Sequence, residues 1–330
     1  MAISYELVRA LASGHFRSGE ELAQELGITR NAVWKRIDAL RDLGLDVHAV
    51  RGRGYRLAQP LELLAPQSIL DGISHESRSL LAELEILDSV DSTNSYVMAR
   101  RKGGTQHAVA VFAERQQAGR GRRGRQWVSP FGSNLYFSLL WRFDPAPAQL
   151  QALGLAAAVM LAKTINSRFD RDVVRVKWPN DLYCGTRKLA GILLELSGEA
   201  GGQCHVVIGV GVNVAMPRTS AETIDQPWTD LSQAFGRDVS RNSTASAALE
   251  ALLLALRQFE SAGFASFLPD WRRLDYLGDK DIMVYQAGKQ VAGRALGIDA
   301  AGALMVQVGE RQERFFSGDV TVRVSKPVQD

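Results

Sequence analysis

The chain has 330 residues, enough for about two domains of ordinary size or three small ones. Apolar residues make up 46% and charged residues 23%, a balance that excludes a wholly disordered chain. The net charge of +3, from 39 Lys plus Arg and 36 Asp plus Glu, does not by itself mark a nucleic-acid binder. Its distribution says more. Residues 28–56 hold seven basic and three acidic side chains, residues 114–127 hold five arginines and one glutamate, and everything else nets −5.

Residues 3–57 read as one compact unit. Leu7, Val8 and Leu11 have helical spacing, and Glu6 and Arg9 among them argue against a signal peptide, which needs a long apolar core. Ser18 and Glu21 form a capping box for a helix over 19–26, ended by Gly27. Thr29 caps a second helix over 30–43, with Val33, Ile37 and Leu40 inward, and Gly44 closes it. Two short helices joined by a glycine turn predict a helix-turn-helix running from Gly19 through Asp38. Strands over 47–50 and 55–57 flank Arg51-Gly52-Arg53-Gly54 and predict a hairpin wing. In that arrangement Arg30, Asn31, Lys35 and Arg36 reach bases and phosphates, with Arg41, Arg56 and the wing residues Arg51 and Arg53 adding to the phosphate-facing field. A small helical protein-contact domain with a solvated charged face is the bland alternative.

Gln59-Pro60 opens a transition. The pattern predicts a helix over 61–84, then a strand at Ile86-Leu87, strands over 109–112 and 134–141, and a long helix over 150–169. Further strands are predicted over 173–177, 191–196 and 205–214, then a helix over 245–262. Strands outnumber helices and do not alternate regularly with them, which predicts α+β rather than a doubly wound sheet. After Leu277 the texture is all-β: short strands broken by Gly288, Gly302 and Gly309 predict a small barrel. Domain limits of 1–65, 66–273 and 274–330 follow. Cys184 and Cys204 cannot form a disulfide framework and no Cys/His cluster has zinc spacing, so no metal is assigned and the expectation is a reduced, cytoplasmic protein. The longest apolar run, 153–162, falls short of the roughly 20 residues a membrane span needs.

The stretch from Gln116 to Trp127, with three glycines and four arginines after Ala118, sits between two apolar strands rather than in a low-complexity tail. It predicts an anion-binding loop, self-repelling and mobile until a phosphate neutralises it. No Walker motif is present. Gly209-Val210-Gly211 lacks the third glycine and the strand-turn-helix setting of a dinucleotide fingerprint.

Four motifs stand in order: Asp91-Ser92-Thr93-Asn94, the loop from Gly119 to Trp127, Lys177-Trp178-Pro179-Asn180-Asp181, and Lys188-Leu189-Ala190-Gly191-Ile192-Leu193. With the winged unit before them and the barrel after, the whole chain resembles the family of bifunctional biotin protein ligases and biotin-operon repressors. The resemblance implies a winged helix-turn-helix, a mixed α/β catalytic domain of the biotin/lipoate ligase type and an SH3-like β-barrel. It implies that biotin and ATP, with Mg2+, give biotinyl-5'-AMP and pyrophosphate, and that a lysine of the biotin carboxyl carrier protein of acetyl-CoA carboxylase then takes the biotin. It further implies that the protein carrying biotinyl-5'-AMP as co-repressor forms a homodimer on biotin-operator DNA.

Carried onto this sequence, Ser92, Thr93, Asn94 and Gln116 fall to the ureido ring, and Arg120, Gly121 and Arg122 to closure over the adenylate. Lys188 falls to the charge that grows between the biotin carboxylate and the α-phosphate, with Arg122 as its catalytic companion; on spacing alone Lys188 reads equally as a surface lysine. Lys177 and Asp181 meet phosphate or magnesium, or else form a structural ion pair. Asn213 and Trp228 fall on the nucleotide side, Trp228 either stacking on adenine or packing in a core. Trp127, Val128, Pro130 and Phe131 are expected to anchor the loop. Two rival readings remain: a regulator whose catalytic half only senses a metabolite, and a lipoate-type ligase.

Overall fold

A computed structural model describes residues 5–41, 43–102, 107–143, 150–198, 204–217, 220, 222–286, 288–318 and 320–325. The outer limits predicted at residues 1 and 330, and residue 42 of the predicted second helix, lie outside them.

The N-terminal unit follows its sequence signals closely. Helices α1 (Tyr5–Leu11), α2 (Gly19–Glu25) and α3 (Arg30–Arg41) pack Leu7, Val8, Leu11, Leu22, Val33, Ile37 and Leu40 into one core. The capping box forms: the Glu21 N–H donates to Ser18 Oγ at 3.1 Å and the Ser18 N–H donates to the Glu21 carboxylate at 2.9 Å. Strands β1 (Val47–Val50) and β2 (Gly54–Leu57) pair antiparallel as the wing.

The linker departs from expectation. Instead of one helix over 61–84 there are two short helices, α4 (Pro66–Asp71) and α5 (His75–Leu80), and then strand β3 (Glu83–Leu87). Pro66 takes the first position of a new helix, where its missing N–H costs nothing, and Ser74 caps the next by accepting from the Ser77 N–H. Local caps divide what the apolar spacing alone joined.

The central unit is a seven-stranded mixed sheet in the order β3-β4-β5-β9-β8-β7-β6. It comprises β3, β4 (Val109–Ala113), β5 (Leu135–Phe143), β6 (Val174–Lys177), β7 (Asp181–Cys184), β8 (Arg187–Gly198) and β9 (Cys204–Val212). Only β3 and β4 run parallel, in keeping with the predicted α+β class. Helices α7 (Leu153–Phe169), α8 (Leu231–Phe235), α9 (Arg241–Ala262) and α10 (Leu268–Leu274) complete the unit. Helices α7 and α9 join a large apolar core with Phe112, Phe137 and Trp141 of the sheet. A second, smaller core lies under α6 (Thr93–Lys102) on Val97, Val111, Leu140 and Val207. Beside α6 that sheet face is left open, and this is where the cleft lies. Residues Leu150–Phe169 are long and apolar enough to cross a bilayer, but 67% of that segment's most apolar window is buried inside the protein, as expected of a core helix.

The C-terminal unit is a five-stranded antiparallel sheet: β10 (Asp281–Gln286), β11 (Lys289–Ile298), β12 (Leu304–Val308), β13 (Arg311–Phe315) and β14 (Val320–Val324). The order β13-β12-β11-β10-β14 returns the last strand beside the first, as in a small SH3-like barrel. A bulge between Ala295 and Gly297 bends β11, with Gly297 at φ +97°. Its apolar face shares the large core of the central unit, and Trp178 Nε1 donates to the Gly302 carbonyl across the seam at 3.0 Å.

Candidate active site

One cleft of about 700 Å³ gathers Ser92, Thr93, Asn94, Gln116, Arg120, Gly121, Arg122, Lys177, Asp181, Lys188, Asn213 and Trp228. These are all the residues the sequence proposed for biotin and for the adenylate. Strand β14, Tyr183 and Tyr276 close the side toward the C-terminal unit.

The polar end is built on the first turn of α6. Ser92, Thr93 and Asn94 are buried. The Thr93 N–H donates to Gln116 Oε1 at 2.9 Å, and Gln116 Nε2 donates to Ser129 Oγ at 3.2 Å. Ser138 of β5 lies 2.7 Å from Thr93 Oγ1 and 2.6 Å from Asn94 Oδ1. Asn94 Nδ2 donates to the Glu195 carboxylate at 2.7 Å, and Arg120 pairs with the same oxygen at 2.8 Å. Thr93, Asn94, Gln116 and Arg120 are thus each fixed by a protein partner. Ser138 and Glu195 escaped the sequence reading. The trace they left is a serine within the mostly apolar β5 and a carboxylate within the mostly apolar β8.

Gly209 and Gly211, set aside as half a nucleotide fingerprint, have a different purpose here. A Cβ on Gly209 would lie 2.2 Å from Asn94 Oδ1, and one on Gly211 would lie 2.5 Å from the Trp127 ring. Two residues apart on β9, they open one face so that the α6 turn and the loop tryptophan can lie against the sheet.

Lys188 owes its direction to a β-bulge. Asp181 pairs with Gly191 and Tyr183 with Lys188, so Leu189 is the extra residue in β8. The extra residue turns Lys188 onto the face of Asp181 and Gly191, while Leu189 points into the core. Only 14% of the Lys188 side chain is exposed, which removes the surface-lysine reading; its Nζ sits 2.8 Å from Asp181 Oδ1 and 5.4 Å from the centre of the Trp127 ring. The segment carrying Trp228 runs alongside: the Lys188 N–H donates to the Pro227 carbonyl and the Thr229 N–H to the Lys188 carbonyl, both at 2.9 Å. Asn213 Nδ2 donates to the Thr229 carbonyl at 3.0 Å and so steadies the same segment.

The ion pair considered for Lys177 and Asp181 is made by Lys188 instead. Lys177 lies 4.7 Å over the Tyr183 ring and 3.3 Å from its hydroxyl. Burial pushes the Lys177 ammonium below its ordinary range, with the Asp181 charge opposing the shift. Burial likewise raises the Tyr183 phenol, which stays neutral as a hydrogen-bonding group.

The arginine loop is a tight hairpin. The Trp127 N–H donates to the Gly119 carbonyl at 2.8 Å and the Gly121 N–H to the Arg125 carbonyl at 2.7 Å. Arg123 (φ +58°) and Gly124 (φ +72°) turn its tip. The expected self-repulsion is relieved within the protein. Arg120 meets Glu195, Arg122 donates to Asn180 Oδ1, the Ser317 carbonyl and the Gly318 carbonyl, and Arg123 reaches Thr321. The loop therefore leans on the C-terminal unit. At its far end Phe131, 2% exposed, belongs to the core of the N-terminal unit and stacks on Tyr5 at 5.6 Å.

Among the described residues no group of three or more His, Cys, Asp or Glu could hold a metal ion. Asp181 is a carboxylate in the cleft that could share a magnesium ion with phosphate oxygens, the arrangement this ion commonly takes with nucleotides.

Comparison with known proteins agrees with this geometry. The profile of the Biotin/lipoate A/B protein ligase family matches residues 86–213, an HTH domain matches 5–56, and the Biotin protein ligase C terminal domain matches 282–323. The chain is 40% identical over 321 residues to the bifunctional ligase/repressor BirA of Escherichia coli (strain K12), covering 97% of each. It is 30% identical over 310 residues to the protein of the same name from Bacillus subtilis (strain 168), covering 94% of each. The solved biotin protein ligase from Aquifex aeolicus in complex with biotin and ATP superposes with a TM-score of 0.64 at 25% identity, covering 74% of this chain and all of that one. By its motifs, its fold and these relatives, the chain belongs to the biotin protein ligase family, in the form that carries an N-terminal helix-turn-helix repressor domain.

Proposed function

We propose that this protein activates biotin with ATP and delivers it to one lysine of the biotin carboxyl carrier protein of acetyl-CoA carboxylase. A carboxylate oxygen of biotin attacks the α-phosphorus and pyrophosphate leaves; the carrier amine then attacks the acyl carbon of biotinyl-5'-AMP and AMP leaves. The observation that carries the reading is that one cleft joins a prearranged hydroxyl-and-amide end to an arginine hairpin at Lys188, whose side chain is largely buried beside Asp181. A ureido ring suits the first, a phosphate the second, and the growing charge between them the third. Asp181 would hold a magnesium ion against the ATP phosphates, and the ion would offset part of their charge.

The division of labour follows the units: 1–65 for DNA, 66–273 for chemistry, 274–330 as the wall of the cleft. With biotinyl-5'-AMP bound, the protein acts in the cytoplasm as a homodimeric repressor on biotin-operator DNA. Arg30, Asn31 and Lys35 of α3 and Arg51 and Arg53 of the wing face that DNA, while Arg36, expected with them, is half-buried to one side of that face. Arg53 lies 4.2 Å over the Phe16 ring, which supports a fixed wing.

The test is to incubate the full chain with biotin, ATP, magnesium and a carrier domain and to weigh the carrier. One biotinyl addition on one lysine is expected; no addition refutes the ligase reading, and preferential lipoyl addition when lipoate competes would give the protein to the other branch of the family. For repression, mobility shift of a biotin-operon promoter should strengthen with biotin plus ATP, and binding indifferent to both contradicts the co-repressor role.

A further inference from the structure

The charged residues assigned to DNA leave one side chain of α3 unexplained. Trp34 is 59% exposed. Val33, Ile37 and Leu40 bury the opposite face of the helix, so Asn31, Trp34, Lys35 and Asp38 are exposed on the outward face, with Trp34 on its flank. Arg36 is half-buried and lies to one side. A scattered exposed apolar residue needs no explanation. This one is different in its placement. Among the described residues, the N-terminal unit exposes two large hydrophobic side chains, Trp34 and Val50, and they sit on the helix and the wing hairpin that carry its basic excess. An indole among charged side chains, on a face with Arg30 and Lys35, matches a surface that is anionic at its edges and apolar at its floor.

The major groove is such a surface: phosphates line its rims, and thymine places a C5-methyl group on its floor. Arg30 and Lys35 match the phosphate rims and the indole matches the methyl-bearing floor, so DNA is the occupant the face fits. We propose that Trp34 is a specificity-determining residue that reads thymine, its indole packing on C5-methyl groups in the major groove. Asn31 stands one helical turn earlier on the same face, with an amide able to pair bidentately with adenine. The two side chains read both partners of neighbouring A·T pairs, one by hydrogen bonds and the other by apolar contact. Lys35 and the wing arginines supply affinity that does not depend on sequence.

This inference rests on the DNA-binding reading, and the experiment separates the two. The full chain, loaded with biotin and ATP, selects duplexes from a random pool. Each thymine of the selected site is then replaced by deoxyuridine, which removes only the methyl group. Wild-type protein should bind about fourfold more weakly when a contacted methyl is removed, the ratio expected for burying one such group. Trp34→Ala should bind the thymine duplex more weakly than wild type, show no further loss with deoxyuridine, and keep wild-type affinity for a scrambled duplex. Trp34→Phe, which retains an apolar ring, should keep most of the deoxyuridine penalty. Thermal melting confirms that both variants fold. A wild-type protein indifferent to every thymine methyl, or a Trp34→Ala variant that keeps the full penalty, overturns the proposal and leaves DNA binding intact. Failure to enrich any duplex removes the DNA-binding reading and this inference with it.

Discussion

At the scale of single residues, two lysines in one cleft are set to different purposes by their surroundings. Lys188 faces Asp181 at 2.8 Å and lies beside an indole. With its side chain largely removed from solvent, its charge acts strongly on an oxygen that becomes more negative during reaction. Lys188→Ala should lower the adenylation rate by about 10²- to 10³-fold, read as pyrophosphate exchange, with the protein still folded; a rate within twofold of wild type would remove it from that role. Lys177 has its ammonium pushed down by burial. Its charge is present below the folded-state pKa and is lost as pH rises through that value, which lies below the 10.5 of a free lysine. If Lys177 faces the ATP phosphates, ATP affinity should fall on the alkaline side earlier than an ordinary lysine would allow, and Lys177→Arg should flatten that limb. The same shift has the opposite sign for stability. The unfolded chain binds the extra proton, so this group's contribution to stability rises with pH between the two pKa values. A titration of ATP affinity beside urea unfolding from pH 8 to 10.5 checks both directions.

At the scale of elements, the arginine hairpin is held from both ends. Arg122 reaches the Ser317 and Gly318 carbonyls of the C-terminal unit, and Phe131 enters the core of the N-terminal unit. Phe131→Ala should cost about 3–5 kcal/mol, the usual price of emptying a buried phenylalanine site. It should also speed loss of biotinyl-5'-AMP in a chase experiment, because the loop loses one anchor. Arg122→Gly should speed the same release with little change in melting temperature, since the lost contacts lie at the rim of the cleft. The sequence made much of this legible. The capping box of α2, the glycine hairpin and the four motifs are local signals, and each stands where it was expected. The misses are non-local. Ser138 and Glu195 join the site only because β5 passes under α6 and β8 brings Glu195 within reach of Asn94, and the direction of Lys188 depends on a bulge that no spacing rule displays. The helix expected over 61–84 failed for another reason: apolar spacing outweighed the start signals at Pro66 and Ser74 in the reading, though not in the fold.

At the scale of the whole molecule, the near-neutral charge conceals two basic surfaces joined by a buried polar tie. Arg241 and Glu114 pair at 2.7 Å with side chains 5% and 3% exposed. Arg241 also donates to the Glu62 carbonyl at 2.7 Å and the Asn134 carbonyl at 2.9 Å, while Glu114 accepts from the Leu64 N–H at 2.6 Å. The tie thus binds the linker below the winged unit to strands β4 and β5 and to the start of α9. Glu62 adds to it: burial opposes its charge, but hydrogen bonds from Asn242, Ser240 and two backbone N–H groups outweigh burial and hold its carboxyl below the usual range. A buried pair is weak evidence of net stabilisation, yet removing one partner strands the other charge. Arg241→Met should therefore destabilise the protein by about 3–5 kcal/mol. Because the lost contacts lie along the linker, calorimetry should resolve melting of the N-terminal unit ahead of the rest, where the wild type shows the two coupled. The paired change Arg241→Met with Glu114→Leu removes both charges together and should recover part of the loss. Equal melting of Arg241→Met and wild type would show that the linker seats the winged unit without this tie, leaving contacts such as the Phe131–Tyr5 stack and the Arg9–Asp88 pair to couple the DNA-facing and ligand-facing halves.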